Sequence, residues 1–158
     1  MAVVVEFRGA NRADSDVVNA RLRAADIREI ESLGANPEGM VWKCVKASDF
    51  AWTGFIDGVP VMVFGCGQSL LASEGDVWAL GTDELEKHPR DVLVYGRKKI
   101  AEMLEIYPHL GNYCGAWHTK NLRWLKKIGF TISDPAPYGA KGEMFCKITI
   151  RKETERCV

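Results

Sequence analysis

The sequence predicts an α+β fold. Three observations carry this. Segments with strand-like alternation cluster as a run in the middle of the chain. Segments with helical spacing precede that run and then separate the later strands. A two-residue Asp57-Gly58 junction marks one antiparallel hairpin. The order is strand, helices, three strands, helix, strand, helix, two strands. Runs of antiparallel strands mixed with helical crossovers argue against a doubly wound parallel sheet.

The elements follow in chain order. Residues 3–7 form a short apolar strand. A helical region spans about residues 16–33, with Asp26 capping its second half. Ile27, Ile30 and Leu33 recur there at helical spacing and Gly34 offers a stop. Pro37 opens a new segment, and residues 38–46 read as a short helix. Residues 51–56 and 59–66 are β-rich runs around Asp57-Gly58, a pair suited to the positive φ angles of a type I′ turn. Pro60 sits at a strand start, where its missing N–H matters least. The Gly65-Cys66-Gly67-Gln68 run lacks a P-loop lysine and its spacing, and reads as a strand-ending turn. Residues 76–80 form a third strand.

The longest helix spans about residues 89–107. Pro89 suits its first turn. Leu93, Gly96, Ile100, Leu104 and Tyr107 give one apolar stripe. Residues 112–117 form a strand. Residues 119–128 form a short helix with Leu122, Leu125 and Ile128 on one face and Gly129 as its stop. Residues 130–133 are a strand, 135–142 a Pro/Gly loop, and 144–150 a last alternating strand.

Composition narrows the function. The 158 residues hold 21 Lys+Arg against 21 Asp+Glu, a formal charge of zero. That excludes a uniformly basic nucleic-acid binder, an acidic tail and a polybasic membrane-surface protein. The charges are nevertheless segregated. Residues 1–86 carry 7 basic and 14 acidic side chains, residues 87–127 carry 9 and 3, and residues 128–158 carry 5 and 4. No apolar run approaches a membrane span of about 20 residues. The start has no basic residue before its apolar stretch, so the expectation is a protein that is not secreted. Cys44, Cys66, Cys114, Cys146 and Cys157 are odd in number and lack C-x-x-C spacing. Reduced thiols and no metal site are expected.

Asn121 near a helix start, followed by Lys127-Ile128-Gly129-Phe130 running into a strand, resembles a motif of the GNAT (Gcn5-related N-acetyltransferase) superfamily, as does the order of elements. The run Asp76-Val77-Trp78-Ala79-Leu80, the long helix, Gly111-Asn112-Tyr113 and Arg123-Trp124-Leu125-Lys126-Lys127-Ile128-Gly129 are similar to the small GNAT-like internal virion proteins of short-tailed coliphages.

The resemblance implies a three-layer fold whose mixed sheet contains one parallel, splayed strand pair. It implies an acetyl-CoA cleft at that splay, with Trp78, Ala79 and Leu80 along the pantetheine arm. Lys87 and Arg90 would then lie near the pyrophosphate, and Asn121 near the cofactor. Helix N-termini attract phosphate through unpaired N–H groups, and glycines let backbone approach it. The corresponding stretch, Glu86-Lys87-His88-Pro89-Arg90-Asp91-Val92, has no glycine. The position at which many GNAT enzymes carry a proton-donating tyrosine is Leu125.

Glu74 and Asp76 are the candidate bases and Tyr113 a candidate acid, while His118 reads as a cap or surface residue. Trp124 lies off the face of Leu122, Leu125 and Ile128, so it is expected outside, as an interface anchor with Lys126 and Lys127. These readings point to a phage protein with a degenerate acetyl-CoA site. It would work in the virion or host cytoplasm through other virion proteins or self-association. An active N-acyltransferase is the alternative, and nucleic-acid contact through the basic helices a third reading.

Overall fold

The computed structural model describes residues 2–68 and 74–153; Cys157 lies outside the described residues. The strands are β1 (Val5–Gly9), β2 (Phe50–Ile56), β3 (Val59–Gln68), β4 (Gly75–Gly81), β5 (His109–Gly115), β6 (Thr131–Ile132), β7 (Ala136–Tyr138) and β8 (Glu143–Arg151). The helices are α1 (Arg12–Asn19), α2 (Ala24–Ser32), α3 (Met40–Ala47), α4 (Pro89–Ile106) and α5 (Thr119–Ile128). A 3-10 turn, Asp83–Lys87, precedes α4.

One sheet runs in the order β1-β2-β3-β4-β5-β8-β6, with β7 also on β8. Every pairing is antiparallel except β4 with β5. That parallel pair has two rungs only, Gly75 opposite Leu110 and Asp76 opposite Gly111. Beyond them the strands part, as the resemblance implies.

The hairpin forms as its turn residues dictate. Asp57 and Gly58 both take positive φ, at 49° and 79°, which the type I′ twist requires. The two sheet faces carry different cores. Val18, Leu22, Ile30, Val41, Val63 and Leu80 pack beneath α1, α2 and α3. Phe64, Val77, Ile100, Met103, Leu110 and Phe130 pack beneath α4 and α5.

Several expectations need correction. The first helical region is two helices. Asn11 caps α1, its side chain accepting from the Asp14 N–H at 2.8 Å. The chain then crosses to the end of β4, where Leu22 bridges Thr82, the residue after that strand. Asp26 is no cap; it lies buried in the first turn of α2. Gly65-Cys66-Gly67 does not end a strand but continues β3, and a Cβ at Gly65 would collide with the Phe50 carbonyl of β2. The expected loop 135–142 holds β7. The strand expected at 112–117 begins earlier, at His109, and gives way at Ala116.

Candidate functional site

The splay between β4 and β5 organises the site. Strands that part leave N–H and C=O groups without ladder partners, and buried backbone groups need partners. Here side chains supply them. Asn112 Nδ2 donates to the Val77 carbonyl at 2.7 Å, just past the last rung. At the far ends, α2 reaches into the gap. Asp26 Oδ2 accepts from the Gly81 N–H at 3.1 Å, and Glu29 Oε1 accepts from the Gly115 N–H at 2.6 Å. The Arg23 N–H donates to the Gly81 carbonyl at 3.0 Å. A three-residue offset puts both carboxylates on one face of a helix, so one turn of α2 serves both separated strands.

Asp26 is the hub of a buried cluster. Arg23 donates to it through Nε at 3.0 Å and Nη2 at 3.2 Å. His118 Nε2 lies 2.8 Å from Oδ1. Asp26, Arg23 and His118 are 1%, 3% and 3% exposed. Burial alone raises the Asp26 pKa, but the hydrogen bond from His118 and the charge of Arg23 outweigh it and hold it below the ordinary 3.8. Glu29 is held the other way. Its burial outweighs the Gly115 N–H and nearby His118, and pushes it above 4.5. Burial pushes the Cys114 thiol up as well, so it is held neutral.

A cavity of about 350 Å³ occupies the splay and the space beneath α4 and α5. Its walls are mostly apolar, including Phe64, Val77, Tyr95, Ile128 and Phe130, with Glu29 and Asn121 among the few polar groups. Asn121 Nδ2 turns inward to the Cys114 sulfur at 3.5 Å.

The expected cofactor residues separate. Ala79 is exposed between the tied positions Val77 and Gly81, which leaves the gap open there. Trp78 points to the other face and donates from its indole to Ser48 Oγ at 2.6 Å. Leu80 is buried in the core under α1–α3.

At the pyrophosphate end the residues do not fit the group. Pro89 stands at the first helical position without an N–H, and Asp91 follows in the first turn. No glycine loop precedes it; the 3-10 turn brings Asp83, Glu84 and Glu86. The nearby cations are matched by these acids, with Lys87 on Glu84 at 3.0 Å and Lys120 on Glu86 at 2.8 Å. Only Arg90 is exposed and outside any ion pair there among the described residues.

The acid-base candidates lie together on the α1–α3 side. Asp76 is opposite Gly111, and Glu74 Oε2 sits 3.0 Å from where a Gly111 Cβ would be. Desolvation and neighbouring Glu74 raise the Asp76 pKa. Tyr113 stacks on Tyr138, ring centres 3.7 Å apart.

Two expectations fail. Trp124 is 8% exposed and packs with Ile56, Val61 and Leu85, so it is no surface anchor. His118 does hold the N-cap position of α5, but its ring makes no cap bond and is a buried partner of Asp26, so it is not a surface residue. Lys126 and Lys127 are exposed as expected.

Sequence reasoning missed Glu29 and the Asp26–His118–Arg23 cluster. The available signal was a charge on an apolar stripe: Asp26 stands four residues before Ile30. Among the described residues no group of three or more His, Cys, Asp or Glu gathers as for a metal ion, and no helix is long and apolar enough to cross a membrane.

No family profile matches the sequence, and no curated protein does. Solved structures do. Ard1 from Thermoplasma volcanium aligns with a TM-score of 0.69 at 12% identity, over 95% of this chain and 99% of that one. A GNAT-family acetyltransferase from Bacillus anthracis aligns at 0.68 and 10%, over 93% and 94%. YncA of Salmonella typhimurium, solved with its cofactor acetyl-CoA, aligns at 0.59 and 13%, over 98% and 96%. Likeness along nearly the whole length establishes that this chain has the fold of the GNAT acetyltransferases.

Proposed function

We propose that the protein is a non-enzymatic GNAT-fold component of a phage particle, an interaction module with a degenerate acetyl-CoA site. The observation that carries the loss of activity is the α4 N-terminus. A diphosphate needs several converging N–H donors and positive potential. This helix begins with Pro89, places Asp91 in its first turn and follows an acidic 3-10 turn. Leu125 at the usual tyrosine position agrees. The resemblance of the segments around Trp78 and Trp124 to internal virion proteins supports the phage setting. An enzyme fold serves readily as a binding module.

Calorimetry with acetyl-CoA tests this. The expected result is no saturable heat in the micromolar range, and no release of free thiol with amines. Micromolar binding with turnover of any amine overturns it.

An active N-acyltransferase is the second reading. The exposed Ala79 and the open cavity at the splay favour it. Under that reading Glu29, a half-buried carboxylate at the gap with a raised pKa, is the proton acceptor. Glu29→Gln would then abolish turnover while leaving cofactor affinity in place.

A further inference from the structure

We propose that the outer surface of the α4–α5 pair docks the phosphate backbone of nucleic acid. Two ties fix its geometry. Lys120 of α5 meets Glu86 just before α4 at 2.8 Å, and Arg97 of α4 donates to the Lys127 carbonyl of α5 at 3.0 Å. The second tie lies seven residues along α5 from the first. The two helices therefore run side by side in one direction over about 10 Å.

Arg90, Arg97, Lys98, Arg123, Lys126 and Lys127 are all exposed along this pair. None of them forms an ion pair among the described residues. Of the three acids of α4, Glu102 holds Lys99 at 3.1 Å and Glu105 holds Lys152 at 2.8 Å, while Asp91 stands in the first turn beside Arg90.

Helix α5 contains four cations and no acid. Arg123, Lys126 and Lys127 stand at spacings of three and four, where like charges repel. The helix dipole accounts for Lys126 and Lys127 in the last turn, and not for Arg123 or for the cations of α4. Such a surface is stabilised when an external polyanion neutralises it.

The partner's class follows from what the surface lacks. Protein interfaces centre on buried aromatic or apolar anchors. Trp124, the aromatic residue of α5, is buried. Val94 is the large apolar side chain exposed amid these cations, with Ile106 at the far end of α4. Positive charge without an apolar centre fits a phosphate backbone, which is read by charge and not by sequence. This proposal is independent of whether acetyl-CoA binds.

The test is fluorescence anisotropy of the full chain with a labelled duplex of about 20 base pairs at about 50 and 200 mM salt. With about four phosphates neutralised, affinity falls roughly a hundredfold between these salts. The variant carrying Lys126→Glu and Lys127→Glu should lose at least about tenfold at low salt and show a shallower salt dependence. Arg123→Gln, a milder change, should show a smaller loss in the same direction. Lys43→Glu with Lys46→Glu, the same charge change on α3 across the sheet, should bind better than the α5 variant, with circular dichroism confirming that all fold. Absence of binding at low salt, salt-insensitive binding, or equal loss in the α3 control overturns the proposal. Displacement of the duplex by polyglutamate at equal charge concentration also overturns it, because the surface would then serve an acidic protein. Calorimetry with acetyl-CoA, run separately, reports on the cofactor site alone.

Discussion

Asp26 and Glu29 sit one helical turn apart and respond to pH in opposite senses. The folded pKa of Asp26 lies below 3.8, so its contribution to stability is present above that value and is lost as the pH falls through the lower folded value. The folded pKa of Glu29 lies above 4.5, so its contribution is full below 4.5 and declines as the pH rises through the raised value. Glu29→Gln keeps an acceptor for the Gly115 N–H and removes that decline. Its melting temperature should exceed the parent's near about pH 7, and the two should converge near about pH 4. Asp26→Ala leaves Arg23 buried without its partner, and should cost about 3–5 kcal/mol in denaturant unfolding. Neither role was legible in the sequence, because His118, Gly81 and Gly115 lie far from α2 along the chain. Trp124 was misread for a different reason. It stands four residues before Ile128, and a helix that touches both a sheet and another helix buries a wider stripe than three residues mark out.

At the level of elements, spacing located the long helix, the hairpin and the last strand, because each expresses its own period in consecutive residues. The break between α1 and α2 was hidden, since it is imposed by pairing of Leu22 with Thr82, a tertiary contact. The three-residue β7 exists only through its pairing with β8. The Gly65-Cys66-Gly67 run shows why glycine punctuates ambiguously. Gly65 lies in a strand because the β2 backbone comes too close for a side chain. Gly65→Ala should therefore destabilise the protein by about 1–3 kcal/mol, measured by thermal or urea unfolding. Gly96→Val is expected to act similarly, since a Cβ there meets Ile128 at 2.8 Å and would prise α4 from α5. The parting of β4 and β5 was expected from resemblance. That α2 supplies acceptors to both strands was not.

For the whole molecule, a formal charge of zero conceals a division. Among the described residues, α4 and α5 together carry Arg90, Arg97, Lys98, Arg123, Lys126 and Lys127 outside any ion pair, while residues 1–86 carry the acidic excess. The protein should therefore be retained on a cation exchanger at neutral pH and low salt despite a sequence pI of about 6.8. The variant with Lys126→Glu and Lys127→Glu should elute earlier by a margin larger than the α3 control shows.

The two-rung junction gives the sheet a line of mechanical weakness. On one side stand β1 to β4 and on the other β5, β8, β6 and β7, each a continuous antiparallel ladder. Force applied across the junction loads two backbone rungs and the side-chain links of Asn112, Asp26 and Glu29, whereas a cut between β1 and β2, β2 and β3, β3 and β4, or β5 and β8 severs a longer ladder. Pulled from its ends, the molecule should tear at this line first, and shortening either carboxylate should lower the force at which it does so.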